Sequence, residues 1–184
     1  EIEVRRVHFA DGTAAGAATA PADERATLMG IGCALCNDVF FFEKLDQANP
    51  VDKALIAFAA RNGYAIDDLA RRYQRIYDQP FDSEARYMAA GFQQNDRQLY
   101  FVKGDPEVVL KMCRSQLTAT GREQEIDPRF YDFIRTRLDA ITQAGGIAIA
   151  LACASGAAET PPRRYAFLGL IELENPLRPG VPEI

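Results

Sequence analysis

Apolar residues recur along the chain with two different periods, and the segments carrying them run in the order strand, helices, hairpin, helices, two strands. Ile2, Val4, Val7 and Phe9 space themselves as in a strand. Ala10–Ala20, rich in Ala, Gly and Thr with Asp11 its only charge, reads as a mobile surface loop. Pro21 is expected to open a helix, with Asp23 and Glu24 in the first turn where the helix dipole favours acid. Leu28, Ile31, Leu35 and Cys36 give it a buried face, Asn37-Asp38 ends it, and Val39–Phe42 is short and very apolar. A second helix spans Pro50–Arg61, striped by Val51, Leu55, Ile56, Phe58 and Ala59 and stopped by Gly63. Ile66–Tyr73 is a short amphipathic segment, and Arg75–Phe81 is extended but interrupted by Pro80. Arg86–Gln93 and Gln98–Gly104, joined across Asn95-Asp96, form the strongest hairpin signal. Asp105-Pro106-Glu107 starts a helix that carries Val108, Val109, Leu110, Met112 and Cys113. Asp127 or Pro128 opens another, with Phe130, Ile134, Leu138 and Ile141 on one side, ending at Gly145-Gly146. Ile147–Cys153 and Tyr165–Glu174, the second following the Pro161-Pro162 turn, are strands.

No segment repeats with a period of 20–50 residues, which excludes solenoids and propellers. Grouped helices and hairpins without strand–helix alternation predict an α+β fold, a twisted antiparallel sheet with helices packed against it. The first and last apolar segments are both strands and the chain starts at Glu1 rather than Met, so we expect a piece of something longer, inserted into another domain.

Composition adds limits. The 184 residues are 48% hydrophobic and 26% charged, one domain's worth of ordinary globular chain, so disorder, collagen and disulfide miniprotein are excluded. Twenty-one basic residues against twenty-six acidic ones leave a net charge of −5, without the cationic field that holds a nucleic-acid backbone; a small pocket for one nucleotide remains open. His8 is the single histidine, which rules out multi-histidine metal sites within the chain. Cys33, Cys36, Cys113 and Cys153 suit reduced thiols in a cytosolic setting, and no apolar run reaches the roughly 20 residues that span a bilayer.

Several tempting motifs fail on chemistry. Cys33-Ala34-Leu35-Cys36 puts two sulfurs on one side of a helix, but at its C-terminal end, where the dipole raises rather than lowers a thiol pKa; buried small side chains are the better reading. Gly30-Ile31-Gly32 lacks the third glycine of a dinucleotide fingerprint and lies inside a helix. No Gly-Lys dipeptide exists for a Walker loop. Ser83 and Ser155 sit in no nucleophile elbow.

Four stretches make sense together: Phe81–Arg86 entering the hairpin, Tyr100–Glu107 leaving it, Asn49–Leu55 opening the second helix, and the tail Phe167–Pro179. Phe81 is followed at once by polar residues, which leaves its ring open to one side. Lys103 alternates with Tyr100 and Val102 and so joins the apolar row of Leu99 and Phe101; there it either snorkels to water or points into a pocket. Gly104 permits close approach to the backbone. Asp52 can accept a hydrogen bond from an amino group. A ring for stacking, a cation for phosphate and an acid for an exocyclic amine describe an adenine nucleotide site. Each residue also has a plain reading: core phenylalanine, solvated lysine, helix-start aspartate.

These residues carry a resemblance. Ala34-Leu35-Cys36-Asn37-Asp38, Asn49-Pro50-Val51-Asp52-Lys53-Ala54-Leu55, Phe81-Asp82-Ser83-Glu84, Lys103-Gly104-Asp105-Pro106-Glu107 followed by Cys113, and the tail Asn175-Pro176-Leu177-Arg178 resemble, in family order, the nucleotide-binding (N) domain of P-type cation-transporting ATPases. The resemblance implies that residues 1–174 are the N domain and 175–184 begin the return hinge into the phosphorylation domain. It implies that Phe81 stacks on adenine, Lys103 with Gly104 floors the adenine pocket, Asp52 stands where a glutamate meets the adenine amine, and Arg86 matches a lysine near the phosphates; Ser83 belongs to the same motif. ATP, with Mg²⁺ carried on its phosphates, is the implied cofactor. The implied partners are the phosphorylation and actuator domains of one pump, with no nucleic acid and with the membrane met only through a transmembrane domain, making this a cytoplasmic domain of an integral membrane protein. No Asp-Lys-Thr-Gly occurs, so the isolated chain is expected to bind ATP without hydrolysing it.

Three departures qualify the match. Asp52 is a methylene short, Asp105 replaces a small residue beside the expected anion, and Ile147 stands where the family often has a phosphate-binding arginine. Losing that guanidinium removes roughly 1.5–3 kcal/mol, so ATP is expected to be held weakly and mainly by its base. The alternatives are an N-domain-like interaction module without nucleotide binding, favoured by Asp105 and Ile147, and a thiol redox module on Cys33 and Cys36.

Overall fold

The computed structural model describes residues 1–16, 23–39, 42–156 and 160–176. Pro21, part of Val39–Phe42 and the hinge residues 177–184 lie outside the described residues. The strands are β1 (Glu3–His8), β2 (Ala14–Gly16), β3 (Gln74–Asp82), β4 (Tyr87–Gln94), β5 (Arg97–Gly104), β6 (Cys113–Leu117), β7 (Glu123–Glu125), β8 (Ile147–Ser155) and β9 (Tyr165–Glu174). The helices are α1 (Glu24–Leu35), α2 (Pro50–Arg61), α3 (Ile66–Arg72), α4 (Pro106–Met112) and α5 (Pro128–Gln143), with a 3-10 turn at Phe42–Gln47.

The sheet runs β2-β1-β9-β8-β5-β4-β3, with β6 set beside β9 and β7 beside β6. Its pairings are antiparallel except for β6 with β9, which is parallel. The α+β antiparallel architecture expected from the sequence is the one observed. Alternation along the central strands sends one set of side chains to each face. Phe101, Leu151, Leu168 and Ile171 pack with Met29 and Cys33 of α1, Leu55 and Phe58 of α2 and Leu69 of α3. Tyr100, Val102, Ala152, Phe167 and Leu170 pack with Val109 of α4 and Phe130 and Ile134 of α5. Helices therefore cover both faces, and β9 is buried over nearly its whole length.

Local chemistry explains most boundaries. Asp23, Asn49, Asp105 and Asp127 cap α1, α2, α4 and α5, each side chain accepting a first-turn backbone N–H. The β4–β5 hairpin turns on Asn95-Asp96, with Asn95 at φ 51°. Pro80 is accommodated where the β3–β4 register shifts between Gln79 and Asp82. Gly30 and Gly32 are packing glycines: a Cβ on Gly30 would enter the Tyr64 ring, and one on Gly32 would lie 2.8 Å from Leu151 and Phe101 side-chain carbons.

Two expectations are corrected, and one stretch carried no expectation. The loop expected over Ala10–Ala20 contains β2, because Arg6, Val7 and His8 offer an edge to which Gly16, Ala15 and Ala14 pair. Cys113 does not continue α4 but opens β6 at an extended φ −94°, ψ 134°. β6 and β7 had no periodic signature because their stretch is largely polar; pairing of β6 with β9 and of β7 with β6, not local preference, makes them strands.

Candidate functional site

At one end of the sheet, the turn between β3 and β4, the end of β5 and the start of β8 meet the segment joining α1 to α2. Asp38, Asn49, Val51, Asp52, Phe81, Arg86, Met88, Lys103, Gly104, Asp105, Ala148 and Ile149 line a cleft of about 530 Å³ there. That volume is within the range of small-molecule sites, roughly 300–1,000 Å³. It exceeds the grooves beside α2 (about 390 Å³) and between α4 and α5 (about 340 Å³).

Five of the six residues singled out from sequence line this cleft: Asp52, Phe81, Arg86, Lys103 and Gly104. Ser83 does not; it stands exposed in the turn after β3. Asp82 shapes that turn, its Oδ1 accepting from the backbone N–H of Glu84 (2.8 Å) and Ala85 (3.2 Å) and its carbonyl from Arg86 N–H (2.6 Å). The turn ends with Arg86 in the left-handed region at φ 63°. Phe81 is 54% exposed, with its ring at the cleft instead of in the core.

Lys103 is neither solvated nor free. It is 5% exposed, and its Nζ donates to Asp52 Oδ1 and to the Cys36 carbonyl, both at 2.6 Å. Asp52 is 2% exposed, and its other oxygen accepts from Asn49 Nδ2 (3.0 Å) and the Asp38 backbone N–H (3.4 Å). The carboxylate expected to stand ready for an exocyclic amine is thus already engaged in an ion-pair network. Helix capping, the plain reading of Asp52, is done by Asn49. Arg75 steadies the same corner, its Nη2 donating to the Asn37 carbonyl (3.0 Å) and to Asp78 (2.6 Å).

Beside this network Asp38 is exposed at the cleft, and partial burial followed by the Asp52 charge raises its pKa. Burial pushes the Cys33 thiol up to about 12 and that of Cys36 up to about 11, although Lys103 pulls both the other way. A redox pair needs the opposite shift. Arg86 Nη1 lies 3.1 Å from Asp105 Oδ2. Ile147 is 53% exposed at the start of β8, next to the cleft residue Ala148.

Sequence reasoning missed Asp38, Asn49, Val51, Met88, Ala148 and Ile149 as wall residues. Asp38 and Asn49 lay inside motifs already noticed, but the β8 residues reach the cleft only through the β5–β8 pairing of Gly104 with Ala150.

The apolar wall and exposed phenyl ring suit a flat base. No three or more His, Cys, Asp or Glu residues gather as a metal site among the described residues.

Fold and cleft agree with a family match: residues 27–180 fit the family "P-type ATPase, cytoplasmic domain N", and the chain belongs to that family. It is similar to calcium-transporting ATPase 1 of Schizosaccharomyces pombe, 32% identical over 83% of the chain and 17% of the relative. Human calcium-transporting ATPase type 2C member 1 is 32% identical over 83% of the chain and 16% of the relative. The cation-transporting ATPase pma1 of Synechocystis is 34% identical over 58% of the chain and 12% of the relative. The chain therefore spans less than a fifth of the length of the relatives it matches. No helix among the described residues is long and apolar enough to cross a membrane.

Proposed function

We propose that this chain is the ATP-binding part of a P-type cation-transporting ATPase, and that it delivers the γ-phosphate of ATP to an aspartate on a neighbouring domain of the same pump. The observation that carries this reading is the convergence of Phe81, Lys103, Gly104, Asp52 and Arg86, drawn from distant parts of the chain, on one cleft. Adenine stacks on Phe81, over a floor made by Lys103 and Gly104. Stacking is worth about 1–3 kcal/mol per base, which gives weak binding. Weak binding suffices for a domain whose work is positioning: hinge closure brings the reacting atoms together and converts a bimolecular encounter into an effectively unimolecular step. When bound, Mg²⁺ offsets phosphate charge; the residues here hold the base end.

Residues 1–174 are proposed as the domain and 175–184 as the start of the return to the phosphorylation domain. ATP hydrolysis coupled to cation translocation belongs to the whole pump, anchored in a membrane by parts beyond this chain, with this domain on the cytoplasmic side and the phosphorylation and actuator domains as its partners.

The test is an NMR titration of the isolated chain with ATP. Shifts are expected at Phe81, Lys103, Gly104 and Asp52, with affinity in the high micromolar to millimolar class. Shifts clustering elsewhere would refute the site, and no shifts at all would favour an interaction module that has lost the nucleotide.

A further inference from the structure

The charges lining the cleft are arranged in an unexpected way. Two cations, Arg86 and Lys103, face three carboxylates, Asp38, Asp52 and Asp105. Lys103 is matched by Asp52 at 2.6 Å, and Arg86 by Asp105 at 3.1 Å. The second pair is fixed at several points. Asp105 donates its backbone N–H to the Arg86 carbonyl at 2.9 Å, and Gly104 brings the two strands so close there that a Cβ would meet that carbonyl. The Asp105 carboxylate is oriented by its cap of α4, one oxygen accepting Glu107 N–H at 2.9 Å while the other meets Arg86. Arg86, in the left-handed conformation, projects from a backbone held in place by Asp82 and Asp105. Asp38 adds negative charge at the same rim. Among the described residues, every cation lining the cleft is thus paired with a carboxylate.

We propose that Asp105 determines which part of a nucleotide this cleft recognises: by holding Arg86 it turns a phosphate-binding cation into a near-neutral pair, so the nucleoside, not the phosphate chain, is gripped. This rests on the ATP-binding reading above and sharpens it. A phosphate chain arriving at the rim meets the Arg86 guanidinium and the Asp105 carboxylate together, and the attraction of one is offset by the repulsion of the other. Specificity is a difference between affinities, and here it is set by a repulsive group beside an attractive one. The consequence for the pump is a domain that holds the base while leaving the phosphates unclamped for a neighbouring domain.

The experiment is calorimetric or NMR titration in magnesium-free buffer with adenosine, AMP, ADP and ATP as probes. The wild-type chain is expected to bind all four within about threefold of one another, because an exposed, paired cation adds little. Asp105→Asn keeps the oxygen that caps α4 but removes the charge. It should leave adenosine binding unchanged and tighten ATP by about tenfold, the size of a hydrogen bond to a charged group. Arg86→Gln should abolish the gain in the Asp105→Asn background. A wild type that already prefers ATP over adenosine by about tenfold, with no further gain in Asp105→Asn, overturns the proposal and leaves ATP binding standing. So does a gain that survives Arg86→Gln. Failure of both adenosine and ATP to shift Phe81 overturns the ATP-binding reading itself, and this inference with it. A denaturation midpoint for each variant shows that the helix cap has survived.

Discussion

Lys103 and Asp52, 51 residues apart in the chain, meet with Nζ and Oδ1 separated by 2.6 Å and with both side chains almost completely shielded from water. A pair this buried is a poor source of net stability but a strong constraint, since removing one partner leaves a charge in a low-dielectric site. Lys103→Met alone should cost about 3–5 kcal/mol, a large part of a typical domain's stability. Lys103→Met with Asp52→Leu should recover most of that loss. Urea denaturation of the two single variants and the double variant measures the coupling. Simple additivity of the single losses would show that the two charges do not depend on each other.

Phe81 presents the opposite case, a large apolar side chain left half in water. Truncating an exposed residue away from caps and core usually changes stability by no more than about 0.5 kcal/mol. Phe81→Ala should therefore leave the urea midpoint nearly unchanged while weakening ATP binding by about 1–3 kcal/mol. Cys33→Ser should do the reverse, because Cys33 is fully buried in the core. If Phe81→Ala destabilises the fold as much as it weakens binding, the ring is a packing group and the stacking role fails.

The contrast between these residues shows what could be read before the structure. Helices with a stripe and a cap, such as Pro50–Arg61 behind Asn49, announce themselves locally, and so does a hairpin turning on Asn95-Asp96. Phe81 was legible because polar neighbours on its C-terminal side leave a phenyl group no core to enter. Lys103 was legible only as a dilemma, solvated or in a pocket, since its partner comes from a helix on another part of the chain. Arg86 and Asp105 were each noticed, yet their pairing depends on the close approach of two backbones at Gly104. β6 and β7 left no trace because their strand character comes from pairing, β6 with β9 and β7 with β6.

Gly104 offers a steric test of the cleft. A Cβ there would press on the Arg86 carbonyl and lie 2.7 Å from Tyr87 Cα, backbone on both counts, so the strands must part. Gly104→Ala should cost about 1–3 kcal/mol, the usual size of an overpacking strain. It should also weaken ATP binding, because Lys103 and Gly104 line the cleft and are carried on one of the parted strands. A crystal structure or amide-shift map of the variant would locate the movement. Unchanged shifts at Arg86 and Tyr87 with full stability would mean that the approach is looser than described.

The cysteines make the last prediction, one of pH. All four are free; burial raises Cys33, Cys113 and Cys153 from the ordinary 9.0 to about 12 and Cys36 to about 11. Burial raises the Tyr165 phenol as well. Above pH 9 the unfolded chain sheds thiol protons that the native chain keeps, so unfolding releases protons and becomes more favourable as pH climbs. Stability supplied by the neutral thiols is complete below pH 9 and is lost between 9 and the folded values near 11 to 12. The slope should approach about 1 kcal/mol per thiol per pH unit. Urea midpoints under reductant, measured from about pH 8 to about pH 10.5, should fall steeply in the upper half of that range. Iodoacetamide should label Cys33, Cys36 and Cys153 in the native chain only as fast as the chain opens. Rapid native labelling near pH 7 at Cys33 or Cys36, faster than opening allows, would revive the redox reading of that pair; a flat stability profile would show that the thiols are not buried as described.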